Sequence, residues 1–217
     1  MKIAVPPVAR ALLLGIALSQ IPAIGALAQG TCPPGMPPGV FCGERNLAHA
    51  TAGTYAVDGD HAAVLARVSH IGYSYSVFRF DRVAGTLTWD PAAVARSSLS
   101  VQVKIESITS NVKDFASKLA GDQFLNAPLF PEATFVSTAF RPTDATSGKV
   151  DGQLTLMGKA APVTFDVTLV GAGKGFDGSP RIGVTARTWI KPQDFGMPPM
   201  FVDPIEIVVD AEFARQP

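Results

Sequence analysis

Two-residue alternation of apolar and polar side chains dominates the chain from about residue 53 onward. In VTFDVTLV, Val163, Phe165, Val167 and Leu169 fall on one face, with Thr164, Asp166 and Thr168 on the other. Near the C-terminus Ile205, Ile207, Val209, Ala211 and Phe213 oppose Glu206, Val208, Asp210 and Glu212. A period of two is that of a strand buried on one face. Shorter runs of the same kind fall at about 54–57, 62–71, 75–81, 84–90, 98–107, 133–141, 149–157 and 181–190. Between them Ser147-Gly148, Gly158 and the stretch from Gly171 to Pro180 read as turns, as does the polar Val57-Asp58-Gly59-Asp60. One short helix interrupts the pattern: Asn111 can cap it, Phe115 and Leu119 sit four apart, and Gly121 can end it in the left-handed conformation. A second short turn is expected after Asp90-Pro91. The pattern predicts an all-β fold, either a two-sheet sandwich or an antiparallel barrel. An eight-stranded barrel has no free edges and encloses room for side chains or one small ligand.

The first 52 residues follow another pattern. In residues 1–28, MKIAVPPVARALLLGIALSQIPAIGALA, the basic Lys2 and Arg10 flank the start, an apolar run begins at Ala11, and Ala26-Leu27-Ala28 offers small residues at a cleavage site. This is the pattern of a secretory signal peptide; Ser19, Gln20 and Pro22 leave it short of the roughly 20 apolar residues of a membrane span. Export with cleavage after Ala28, to the periplasm or outside the cell, is the expectation, and no integral membrane segment is expected. Residues 29–52 form a Pro/Gly-rich arm holding both cysteines, in TCPPGMPPGVFC. In an exported protein, Cys32 and Cys42 at this spacing read as a disulfide; a two-cysteine metal site lacks a third ligand at a zinc-like spacing. The barrel domain is expected over residues 53–215.

Charge and motifs narrow the function. Lys and Arg total 18, as do Asp and Glu, and loss of Lys2 and Arg10 with the leader leaves the remaining chain at −2. No basic cluster with interleaved aromatics occurs, so nucleic acid is not expected as a partner. The hydrophobic fraction of 47% and the 13 Phe suit a compact domain with a large apolar interior. No Gly-x-Ser-x-Gly elbow, His-Glu-x-x-His, phosphate-binding Gly loop or dinucleotide fingerprint is present, so no catalytic residue, cofactor or metal is expected. Asp58 and Asp60 beside His61 could ligate a metal, but they read more simply as a turn.

The stretch HAAVLARVSH, His61 to His70, holds two of the three histidines. Strand parity puts Ala62, Val64, Ala66, Val68 and His70 on one face and Ala63, Leu65, Arg67 and Ser69 on the other. The first face is small and apolar until His70, so His70 reads either as a structural histidine or as a polar mark at the mouth of an apolar cavity. His61, of opposite parity, cannot share a metal with it without a bulge.

Four segments, in order, resemble the YceI-like family of exported lipocalin-like proteins. TYAVDGDHAAVLARVSHIGYSYSVFRFDRVAGTL is similar to its Tyr-x-x-Asp-x-x-His, x-His-x-Gly, Phe and Gly-x-Leu pattern. SITSNVKDFASKLAGDQFLNAPLFPEATF resembles its Ser-Ile-Thr, basic-Asp, Phe-Leu and Pro-x-x-x-Phe segment; VDGQLTLMGKAAPVTFDV its Gly-x-Leu-Thr-Leu hairpin; and QDFGM its Asp-Phe-Gly loop. The resemblance covers about residues 53–214. It implies an extended eight-stranded antiparallel lipocalin-like barrel with one or two short helices. It further implies an often dimeric protein that holds a polyisoprenoid or isoprenoid quinone in its lumen, binding it without turnover. Two positions depart from the family pattern. Phe78 stands where a Gly is frequent, and Pro192, beside Lys191, where an Arg commonly precedes Ser-Asp-Phe-Gly.

The physical case for lipid is independent of the resemblance. Each buried CH₂ contributes about 0.8 kcal/mol, so a dozen give about 10 kcal/mol before ordering costs, with no polar chemistry needed. The expected ligand-binding wall is Val64, Ala66, Val68, Phe80, Val163, Phe165, Val167 and Ile207, with His70 at its polar end. Each of these could equally fill a solid core. The leading expectation is periplasmic binding, carriage or sequestration of a long apolar lipid. The alternatives are an enzyme on a small amphipathic substrate with His70 as acid or base, and a stress-related interaction module.

Overall fold

Every long alternating run finds antiparallel neighbours on both sides, although residues 74–78 and 137–142 are paired along one side only. The computed structural model describes residues 32–37 and 40–217. The expected leader over residues 1–28 and its cleavage site lie outside the described residues, as do residues 29–31 and 38–39 of the arm. The strands are β1 (Gly53–His70), β2 (Ser74–Phe80), β3 (Val83–Trp89), β4 (Ser98–Lys104), β5 (Ile108–Thr109), β6 (Glu132–Pro142), β7 (Ser147–Leu156), β8 (Lys159–Lys174), β9 (Pro180–Ile190) and β10 (Ile205–Arg215), with helix α1 (Phe115–Ala120) between β5 and β6. Two pairs of these are single strands interrupted. The long β1 carries β2 against its second half (Val64 opposite Phe80) and β3 against its first (Gly53 opposite Trp89). In the next position β5 continues β4 in the same way, Phe80 facing Ile108 and Val83 facing Val103. Counted so, eight antiparallel strands close into a barrel through pairing of β10 with β1. The sandwich alternative is thereby set aside.

The polar turn expected at Val57-Asp58-Gly59-Asp60 is instead a bulge inside β1. The five steps from Val57 to Ala62 face only the two from Phe213 to Ala211 on β10. An odd number of extra residues exchanges the faces. Tyr55 and Val57 point inward with odd numbers, and Ala62, Val64, Ala66 and Val68 point inward with even ones. The bulge is held by its own charges. His61 Nδ1 lies 3.0 Å from Asp58 Oδ2, and Arg181 donates to Asp58 at 2.6 Å and to Glu212 at 2.7 Å. The His61 contact, foremost, lowers the Asp58 carboxyl below its ordinary value, and Asp58 in turn raises His61. Among the described residues no group of three or more His, Cys, Asp or Glu could hold a metal.

Other boundaries shift for identifiable reasons. β8 runs on through Gly171 to Lys174 rather than turning there, because β9 pairs with it, Gly171 opposite Gly183 and Lys174 opposite Pro180, and the arm adds a bridge: Glu44 N–H donates to Ala172 O at 2.9 Å, and Ala172 N–H to Glu44 O at 2.8 Å. Gly171 and Gly43 pass so closely, about 3 Å from an added Cβ to backbone, that side chains would separate them. α1 begins after Asp114, which is left-handed with φ 58° and makes no side-chain cap, so Asn111 is not its cap. Gly121 is extended, not left-handed. The following segment folds back instead and covers the helix carbonyls, with Leu125 N–H donating to Leu119 O at 3.0 Å and Ala127 N–H to Ala120 O at 2.8 Å. The β7–β8 turn is as expected: Met157 and Gly158 both have positive φ, 52° and 72°, the combination a two-residue hairpin turn demands. The turn expected after Asp90-Pro91 forms over Val94–Arg96.

Candidate ligand-binding lumen

The inner faces of the strands enclose one apolar cavity of about 320 Å³, at the lower end of the roughly 300–1,000 Å³ range of small-molecule sites. Alternation supplies its wall. Val64, Ala66 and Val68 of β1, Phe80 of β2, Phe165 and Val167 of β8 and Ile207 of β10 all line it, as the sequence reading expected of these seven. Val163 does not: its side chain packs against two of the buried apolar clusters instead. Phe78 is turned inward, opposite Ala66 on β1, with its ring 6.1 Å from that of Phe115 on α1. A large side chain facing a small one fits the wall while narrowing the lumen.

His70 departs from its expected place. It ends β1, is exposed, pairs with Ser74 and does not line the cavity. The even-numbered face points inward only as far as the barrel is closed, and β10, which closes it, begins at Ile205 near Arg67. His70 lies beyond that. Pro192, fully buried at the start of a 3-10 turn (Pro192–Phe195), contributes no polar group where the family pattern has an Arg.

The two ends of the lumen are closed differently. At the arm end, residues 44–51 fold over the opening: Leu47 lines the cavity, Ala50 is buried, Trp89 Nε1 donates to Ala50 O at 2.9 Å, and the fully buried Tyr55 donates its hydroxyl to Thr51 O at 2.6 Å. The disulfide Cys32–Cys42, with Cα atoms 5.3 Å apart, lies just before this plug. Beside it the β6–β7 hairpin gives the cavity its polar rim, Arg141, Asp144, Thr146, Ser147 and Lys149. Both cations are already paired, Arg141 with Asp151 and Lys149 with Asp166, while Asp144 accepts from Thr146 N–H at 2.8 Å. Arg141 donates twice to Asp151, at 2.6 and 2.7 Å, and Thr164 once at 2.6 Å, which brings the Asp151 carboxyl down to about 2. At the opposite, cap end the covering is apolar: α1, Phe124 and Leu125 after it, and Met197, Pro198 and Phe201 of the β9–β10 connection. There Phe124 and Phe201 meet edge to face at 6.1 Å.

Phe135 and Phe140 also line the wall although their parities differ, because a register shift between Ser137 and Ala139 separates them and alternation alone cannot place both; Phe213 lies on the alternating face already read for its strand, and Leu47, Phe124 and Phe201 lie in irregular segments without a period. Among the described residues, the titratable side chains that reach the cavity are Arg141, Asp144 and Lys149, all at the hairpin rim. What the arrangement can do chemically is remove a hydrocarbon chain from water.

A model of the YceI-like domain matches residues 55–213. The chain is 40% identical over 150 residues to a UPF0312 protein of Pseudomonas putida (strain W619), an alignment covering 68% of this chain and 78% of the relative. Among solved structures it is similar to BcnA of Burkholderia cenocepacia, with a TM-score of 0.62 and 25% identity over 74% of this chain and 99% of that one. It also shares its fold with a polyisoprenoid binding domain from Saccharophagus degradans, with a TM-score of 0.54 and 14% identity over 77% of this chain and all of that one.

Proposed function

We propose that this chain, which belongs to the YceI-like family, is an exported binding protein that holds an isoprenoid-type lipid in its barrel and carries out no chemistry on it. The observation that carries the reading is the lumen itself: apolar along its length, with its charges, among the described residues, confined to one rim, where Arg141 pairs with Asp151 and Lys149 with Asp166. The solved polyisoprenoid binding domain of the same fold supports the ligand class. The leader-like first 28 residues and the Cys32–Cys42 disulfide support export to an oxidising compartment.

Val64, Ala66, Val68, Phe80, Phe165, Val167 and Ile207 form the contact surface, giving affinity through area and almost none through direction. A cavity of about 320 Å³ takes a short run of isoprene units, so a longer chain must extend through one end. An acid or base role for His70 finds no support in its position outside the lumen. Native mass spectrometry of protein purified without detergent tests the reading. A non-covalent lipid adduct that organic extraction removes and added polyprenol restores is expected; protein that carries no lipid and takes up none contradicts it.

A further inference from the structure

The cap end of the barrel carries apolar side chains that the fold does not cover. Ile71 and Tyr73 in the β1–β2 turn, Val112 before α1, Leu129 after it, and Met200 and Val202 between β9 and β10 are between 56% and 88% exposed. Antiparallel topology brings all these connections to one end, because β1 finishes there, β2, β6 and β10 start there, and β9 arrives there. Isolated exposed apolar residues need no explanation, but a set of them on the connections that cover one end of an apolar lumen does.

The set is continuous with the lumen. Phe124, Met197, Pro198 and Phe201 line the cavity from within, and Met200, Val202 and Leu129 lie within a few residues of them on the same connections. We propose that this end docks on the surface of a lipid bilayer, its exposed side chains entering the interface so that the cargo passes between membrane and lumen without crossing water. The inference rests on the lipid-binding reading above, since a hydrocarbon cargo is what makes direct transfer necessary. Tyr73, the most exposed of the six, has the amphipathic ring that favours the headgroup level. Charge plays little part. Loops 71–73, 110–131 and 191–204 carry Lys113, Lys118 and Lys191 against four aspartates, so attachment is driven by apolar area and needs no anionic lipid.

Flotation with phosphatidylcholine vesicles tests this, using protein expressed from its own start codon and purified as the cell leaves it. Wild type is expected to float, equally at low and high salt. The variant Tyr73→Asp/Met200→Asp/Val202→Asp is expected to lose about tenfold or more in apparent vesicle affinity, and Tyr73→Asp alone about threefold, which serves should the triple variant fold poorly. Phe176→Asp, equally exposed but in the β8–β9 turn at the arm end, should bind as wild type. Wild type that does not float, cap-end variants that float undiminished, an equal loss in Phe176→Asp, or self-association through the cap end in place of vesicle binding would each overturn the proposal. The lipid content of each protein, measured by mass spectrometry, separates the two readings. Vesicle binding with an empty lumen contradicts carriage and leaves docking; a filled lumen without vesicle binding contradicts docking and leaves carriage.

Discussion

The two ends of the barrel close the same apolar lumen with opposite kinds of interaction. The arm end is fixed by directional bonds: the Tyr55 hydroxyl to Thr51, the Trp89 indole to Ala50, the paired backbone bonds of Glu44 and Ala172, and the Asp58–Arg181–Glu212 cluster in the bulge. The cap end is covered by a six-residue helix and two irregular connections that meet at the Phe124–Phe201 edge. Hydrogen bonds buried from water are expensive to break one at a time, whereas apolar contacts re-form with any apolar partner, a lipid included. One end is therefore built as a floor, and the other is the one that the proposed docking would open. Polarity alone would suggest the reverse, since the polar rim is at the floor.

Substitutions at the two ends should separate these roles. The largest effect is expected for Tyr55→Ala, which empties a fully buried site beneath the plug; stability to urea should fall by about 3–5 kcal/mol, and Tyr55→Phe, which removes only the hydroxyl, should cost about 1 kcal/mol. Ala66→Phe places a second ring opposite Phe78 and blocks the lumen: it should cost about 1–3 kcal/mol and abolish lipid retention, seen as loss of the lipid adduct in native mass spectrometry. At the cap, Phe201→Ala removes the edge contact with Phe124. It should cost only about 1 kcal/mol yet speed the exchange of a fluorescent polyene several-fold, whereas Tyr55→Phe should leave exchange unchanged; equal acceleration by both would erase the distinction between floor and opening.

The smallest effect is one of pH. His61 is raised above 6.5 chiefly by its hydrogen bond to Asp58, and Asp58 is lowered below 3.8 by His61. A raised imidazole stabilises fully below its unfolded value and stops doing so as pH rises through its folded one; a lowered carboxyl stabilises above its unfolded value and stops as pH falls through its folded one. The pair thus contributes most between about pH 3.8 and 6.5. The melting temperature should decline slightly from pH 6 to pH 8 in wild type, and this decline should be smaller in His61→Gln, by differential scanning calorimetry.

Regular parts of the molecule were legible and irregular parts were not. Alternation in VTFDVTLV and in the run from Ile205 to Phe213 placed Phe165, Val167 and Ile207 on the wall because the pleat leaves no other choice. On β1 parity also places Val64, Ala66 and Val68 on the wall, between the bulge and the end of the closed barrel. Nothing local in Val57-Asp58-Gly59-Asp60 distinguishes a turn from a bulge, since both favour Asp and Gly, and the decision is made by the ladder on β10. The arm reads as a linker, yet Leu47 and Ala50 plug the barrel; two apolar residues in an aperiodic segment give no signal until the opening they fill is known. His70 was assigned inward by parity, which carries no information about where the barrel ends.

The central claim, that the lumen is a hydrocarbon site loaded through the cap end, is tested most directly by the electron density inside a crystal of the protein grown without detergent or added lipid. The account predicts one elongated chain-like feature with regularly spaced methyl branches, running past Phe80, Phe165 and Ile207 and ending between Phe124 and Phe201. A lumen closed by collapsed side chains, or a feature that instead leaves beside Tyr55 and Leu47, would contradict it.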